Sequence, residues 1–94
     1  MGAPHGAPTR ENKEEEKMIT TERHQICAEF ARRAAENLEA GARNPRFTAV
    51  KRIHYAALAR MERLSQEYHT EAARLTARGL PIPGWIEWLQ ARGI

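Results

Sequence analysis

His24 and Cys27 stand three residues apart, a spacing that puts both side chains on one face of a helix, and an imidazole with a thiolate is a common start to a zinc site. Such a site needs further ligands. His54 and His69 are fifteen residues apart, about 22 Å along a helix axis, so at most one of them can join within a single chain. The residue types therefore predict no metal: Cys27 reads as a small buried side chain and His24 as a surface one. Catalysis finds no better footing, because Ser65 is the only serine and sits in a helical pattern, and no glycine-rich phosphate loop is present. Glu36 with Glu39, and Glu67 with Glu71, lie at helical spacing, but neighbouring arginines make them a solvated face. The expectation is a protein that is not an enzyme and uses no cofactor.

The basic residues are more informative. Between Ala40 and Met61 the chain carries Arg43, Arg46, Lys51, Arg52, His54 and Arg60 with no acidic residue, and aspartate is absent throughout. Arg43 and Arg46 flank the expected start of a helix, whose amides already carry partial positive charge, so each cation costs a few tenths of a kcal/mol unless an anion relieves it. Amides and arginines together make an anion site suited to phosphate or to an acidic protein surface. Arg43, Arg46, Lys51 and Arg52 are the candidate anion- or partner-binding residues, although a basic turn also serves plain solubility. Phe47 offers a ring for stacking, but as the first apolar residue of its helix it is better placed to staple the turn.

The elements that must position these groups are all helical. Thr20 or Thr21 offers an N-cap, and Ile26, Phe30, Ala34 and Leu38 follow at four-residue spacing, which predicts a first helix over 22–40. Gly41, able to take a left-handed C-cap, then Asn44 and Pro45 supply a break. A second helix is predicted over 45–78, with Val50, Ile53, Ala57, Met61, Leu64, Tyr68, Ala72 and Leu75 recurring at steps of three and four as one stripe. Gly79, Pro81, Pro83 and Gly84 stop it, and residues 85–91 form a short third helix with Trp85, Trp88 and Leu89 on one side.

Length then argues for a partner. A second helix of this size spans about 50 Å and the first about 28 Å, so the first would reach only as far as Met61 or Leu64. Tyr68, Ala72 and Leu75 would need the tryptophan segment or a second copy of the chain. Tyr55 through Ala59 are apolar around more than a turn, so that level should be enclosed on several sides. The fold class predicted is all-α: a helical hairpin with one long second helix and a short C-terminal helix, paired as a dimeric helical bundle. Tyr55, Leu58, Met61, Leu64, Tyr68, Leu75, Trp85 and Trp88 are the expected interface residues, the tryptophans being the strongest anchors.

At 94 residues the chain holds one small domain, expected over 20–94. Residues 1–19 read as a disordered tail, a Gly/Ala/Pro stretch followed by a charged one with no apolar face. In a GC-rich gene, the Lys and Glu codons before Met18 would contain a ribosome-binding sequence, so Met18 is a candidate natural start. Three basic and four acidic residues precede it, leaving twelve basic and eight acidic residues, net +4. One cysteine excludes an internal disulfide, no apolar run approaches the roughly 20 residues of a membrane span, and no secretory apolar centre is evident. A cytoplasmic location is expected. Abundant alanine and arginine suit a GC-rich bacterial, plasmid or phage genome.

The function expected from these observations is a non-enzymatic helical protein-interaction module, a phage or mobile-element accessory protein that binds and modulates or inhibits a host macromolecular complex. Its positive charge argues against mimicry of DNA and for contact with an acidic protein patch. The alternative is a small basic nucleic-acid-binding protein that contacts phosphates through the Arg43 to Arg52 segment, with steep salt dependence.

Overall fold

A computed structural model describes residues 10–94 of the chain. Three helices follow one another, α1 over Arg10–Ala42, α2 over Ala49–Ala77 and α3 over Trp85–Ala91, with no strand among the described residues. The chain is all-α, and α1 and α2 pack antiparallel as a helical hairpin. No helix among the described residues is long and apolar enough to cross a membrane.

The first helix begins well before position 22. Residues 10–19, expected as part of a tail, are helical, while residues 1–9 of that expected tail lie outside the described residues. Neither Thr20 nor Thr21 caps a helix: the Thr21 hydroxyl instead donates to the Lys17 carbonyl four residues back, at 2.7 Å. With 33 residues against 29, α1 is the longer helix, not α2. It consequently runs the full length of its neighbour, and Thr21 and Gln25 line a groove with Ala77 at the far end of α2. The length argument for an uncovered end of α2 therefore fails.

What joins the two helices is an alanine-rich seam at steps of three and four on α1 and of three, four and seven on α2. On α1 it passes through Thr21, His24, Ala28, Ala31, Ala35 and Leu38, and on α2 through Tyr55, Ala59, Gln66, His69, Ala73 and Thr76. A repeat averaging 3.5 residues keeps one face of each helix turned to the other. Ala31, Ala35, Ala59, Ala72 and Ala73 are buried, and no large side chain is fully buried anywhere among the described residues. Short side chains let the backbones approach closely, so packing comes from many backbone-proximal contacts and little apolar area per residue.

This seam overturns the expected facing of α1. Ile26 and Phe30 are exposed on the outer side of the helix, because they fall between the seam positions. Gly41 is also not a left-handed cap. It lies within α1, and among the described residues only Gly79 and Gly93 have positive φ angles. A Cβ at Gly41 would fall 2.5 Å from Cδ2 of Tyr55, so the residue is there to admit the tyrosine ring.

Helix α2 starts at Ala49, four residues later than expected, because Thr48 is its N-cap and accepts from the Lys51 amide at 3.2 Å. Asn44 holds the preceding turn by accepting from the Arg46 amide at 3.0 Å. At the other end the Leu80 amide reaches Leu75 and the Gly79 amide reaches Thr76, with Gly79 at φ 71°, which completes a Schellman motif. The third helix occupies the expected residues and ends in the same way at Gly93.

Candidate functional site

Two faces of α2 have different fates. Its seam face meets α1, whereas the apolar stripe from Val50 to Leu75 points away from α1, since its positions interleave with those of the seam. Helix α3 covers only the later half of that stripe. Trp88, which is buried, and Trp85 stack with ring centroids 5.6 Å apart, and each meets the Tyr68 ring edge-on. Polar atoms fix the arrangement: the Tyr68 hydroxyl donates to the Pro83 carbonyl at 2.7 Å, and Trp88 Nε1–H donates to Glu71 Oε2 at 2.8 Å. Arg92 lies 4.1 Å over the Trp88 ring and donates to Glu67 at 3.0 Å.

The earlier half of the stripe has no cover among the described residues. Val50 is 78% exposed, Ile53 69% and Met61 52%, with Leu58 beside them at 39%. Ala57 and Leu64 are half-buried, and Leu75 lies in the covered half. Of the residues expected at an interface, Met61 and Leu58 are presented outward. Tyr68, Trp85 and Trp88 are gathered in the α3 cluster, and Tyr55 belongs to the seam and the turn.

The basic segment divides in a similar way. Arg43 and Arg46 are exposed in the turn, and neither lies in the first turn of α2. Arg43 directly follows the C-terminus of α1, where a cation is favourable, and its field helps to hold the Glu39 carboxyl below its usual range. Lys51 and Arg52 are the cations in the first turn of α2. Lys51 Nζ sits 4.1 Å over the Phe47 ring, and Phe47 meets Tyr55 edge-on at 5.5 Å, so the turn is closed by packing of its own residues. Arg52 is half-buried, with Nε buried and unpartnered. Among the four candidates, Arg43 and Arg46 are therefore those best presented to a ligand.

Ion pairs across and along the helices order the surface. Arg63 on α2 donates to both carboxylate oxygens of Glu39 on α1, at 3.0 and 2.7 Å, the bidentate geometry that fixes register. That hydrogen bonding lowers the Glu39 pKa first, with the charge of Arg63 adding to it. Glu29 accepts from Arg32 and Arg33 one turn on, and the Arg32 hydrogen bonds hold its pKa near 2.

Of the two histidines on α2, His69 is the one that reaches His24. His24 and His69 meet across the seam with their Nδ1 atoms 2.9 Å apart and ring centroids 5.2 Å apart. Such a contact requires one ring to donate and the other to accept, so it survives only while one Nδ1 is unprotonated. Neither expectation for the His24 and Cys27 pair holds: His24 is half-buried in the seam and Cys27 is exposed. Among the described residues no three metal-ligating side chains converge.

The histidine contact carries a pH prediction. Burial, and secondly the neighbouring His24, lower the pKa of His69 from its ordinary 6.5. A histidine depressed in the folded state binds fewer protons there than in the unfolded chain, so its contribution is complete above pH 6.5 and is lost as pH falls through the folded value. The thermal midpoint should fall between about pH 7.5 and about pH 5.5, before the glutamates titrate. Replacing His69→Gln should flatten that step; an unchanged slope in the variant would assign it elsewhere.

The heptad-like spacing of small residues on both helices was the signal for this register, and reading it would have brought His24 to His69 and Glu39 to Arg63. Comparison of the chain with protein-family models, with curated proteins and with solved structures finds no match.

Proposed function

We propose that the chain is a non-enzymatic helical interaction module, paired as two hairpins, that binds and modulates a macromolecular complex in the manner of a phage or mobile-element accessory protein. The observation that supports it is the outward row Val50, Ile53 and Met61, large apolar side chains held on one helix with no cover among the described residues. An exposed face of this kind loses less by docking than by remaining hydrated. The net positive charge favours an acidic protein surface as the target.

A second reading, phosphate contact by a small nucleic-acid-binding protein, draws on Arg43 and Arg46, which stand exposed on the turn. Capture from lysate of the source organism or its host, with the full chain as bait and with or without nuclease, separates the two. The module reading expects one protein retained at equal yield in both samples. Loss of all captured protein after nuclease treatment, with salt-dependent binding to a plain oligonucleotide, would replace it with the second.

A further inference from the structure

The uncovered half of the α2 stripe is palindromic. Val50, Ile53, Ala57, Met61 and Leu64 lie at seven, four, zero, four and seven residues from Ala57. We infer that this face is an isologous interface with a second copy of the chain, the two α2 helices crossing antiparallel on a two-fold axis at Ala57. This rests on the interaction reading above and names the pairing that it requires.

The operation makes the pattern self-complementary. It sets Val50 against the second copy's Leu64, Ile53 against its Met61, and the two copies of Ala57 against each other, where a methyl allows close approach. Extents agree as well. Helix α2 begins at Ala49, so the second copy's helix would start opposite Ser65, and α3 takes over the covering at Tyr68. The two coverings meet without overlapping.

The surface area needed for such a pairing is present. The chain exposes 7266 Å², whereas a compact monomer of this mass exposes about 5,500 Å². That surplus is spread over the whole elongated hairpin, and it leaves ample surface for the roughly 800 Å² per partner that a standard interface buries.

The test is disulfide trapping in the full chain carrying Cys27→Ala, with oligomeric mass read by light scattering. The parent should have twice the monomer mass of 10.7 kDa. Ala57→Cys should oxidise to a covalent dimer because only a residue on the axis meets itself. Ile53→Cys and Met61→Cys should cross-link when the two variants are mixed and not when either is alone. Ile53→Arg should give monomers that keep their helical circular dichroism. A monomeric mass at all concentrations would overturn the inference, as would a dimer that Ala57→Cys fails to trap or that Phe30→Cys on the outer face of α1 traps instead. A monomer that still retains one nuclease-resistant protein would leave the interaction reading standing without the self-pairing. A trapped dimer that retains none would do the reverse.

Discussion

Replacing Trp88→Ala should free α3 from the hairpin while leaving α1 and α2 paired. Removal of a buried tryptophan costs about 3–5 kcal/mol, and here most of what holds seven residues of helix to α2 passes through that ring. It is buried, stacks on Trp85, meets the edge of Tyr68, lies under Arg92 and donates to Glu71. A helix of this length has no independent stability, since isolated helices below about 12–15 residues are marginal in water. The loss therefore exceeds what α3 can absorb, and the segment after Gly79 should unfold locally. Hydrogen exchange should show protection lost in α3 and retained in the α1 and α2 seam, with the fluorescence of Trp85 shifted to the red. Loss of protection throughout the hairpin would mean that α3 and the seam form one cooperative unit. Trp88→Phe keeps a ring in place but loses the bond to Glu71, and should cost only about 1 kcal/mol.

How legible this architecture is in the sequence depends on which force sets each element. Where local chemistry decides, the reading is close: Gly79 and the prolines after it end α2 within a residue of the expected place, and Trp85 to Ala91 is helical as expected. The start of α2 is displaced because both Pro45 and Thr48 are start signals by residue type, and Thr48 is the one that caps the helix. The facing of the helices was obscured for a different reason. Large apolar side chains give the strongest periodic signal, and on α2 that signal marks the face away from α1. The contact itself is made by alanines, whose period is weak beside that of Ile26 and Phe30.

The same reason hid the candidate site. The length argument leaves Tyr68, Ala72 and Leu75 as the residues in need of cover and puts Val50, Ile53 and Met61 under the first helix; the structure shows the reverse, because α1 runs along the other face of α2 and α3 covers the later half of the stripe. Exposure of the row follows from rotation of α2 about its axis, which the seam residues fix. His24 and His69 are legible only once that seam is known, since nothing in their own spacing pairs them across 45 residues.

Substitution of Gly41→Val should destabilise the hairpin by about 2–3 kcal/mol, near the upper end of overpacking costs. Intrinsic preference works the other way, because glycine is the poorest helix former after proline and valine gains a few tenths of a kcal/mol over it. Strain wins on geometry: a Cβ at this position would lie 2.5 Å from Cδ2 and 2.9 Å from Cε2 of Tyr55. The ring cannot retreat freely, since Phe47 packs against it at 5.5 Å and Lys51 closes over Phe47. Gly41→Ala sharpens the argument. Its helix gain is about 1 kcal/mol, comparable to the strain, so in the native background the variant should be destabilised modestly or not at all. In a Tyr55→Ala background the obstruction is gone and the same substitution should stabilise by the full propensity difference. The coupling measured in that double-mutant cycle isolates the contact from the helix preference. A coupling near zero would mean that Tyr55 does not lie over Gly41, and with it would fall the register that brings Glu39 to Arg63 and His24 to His69.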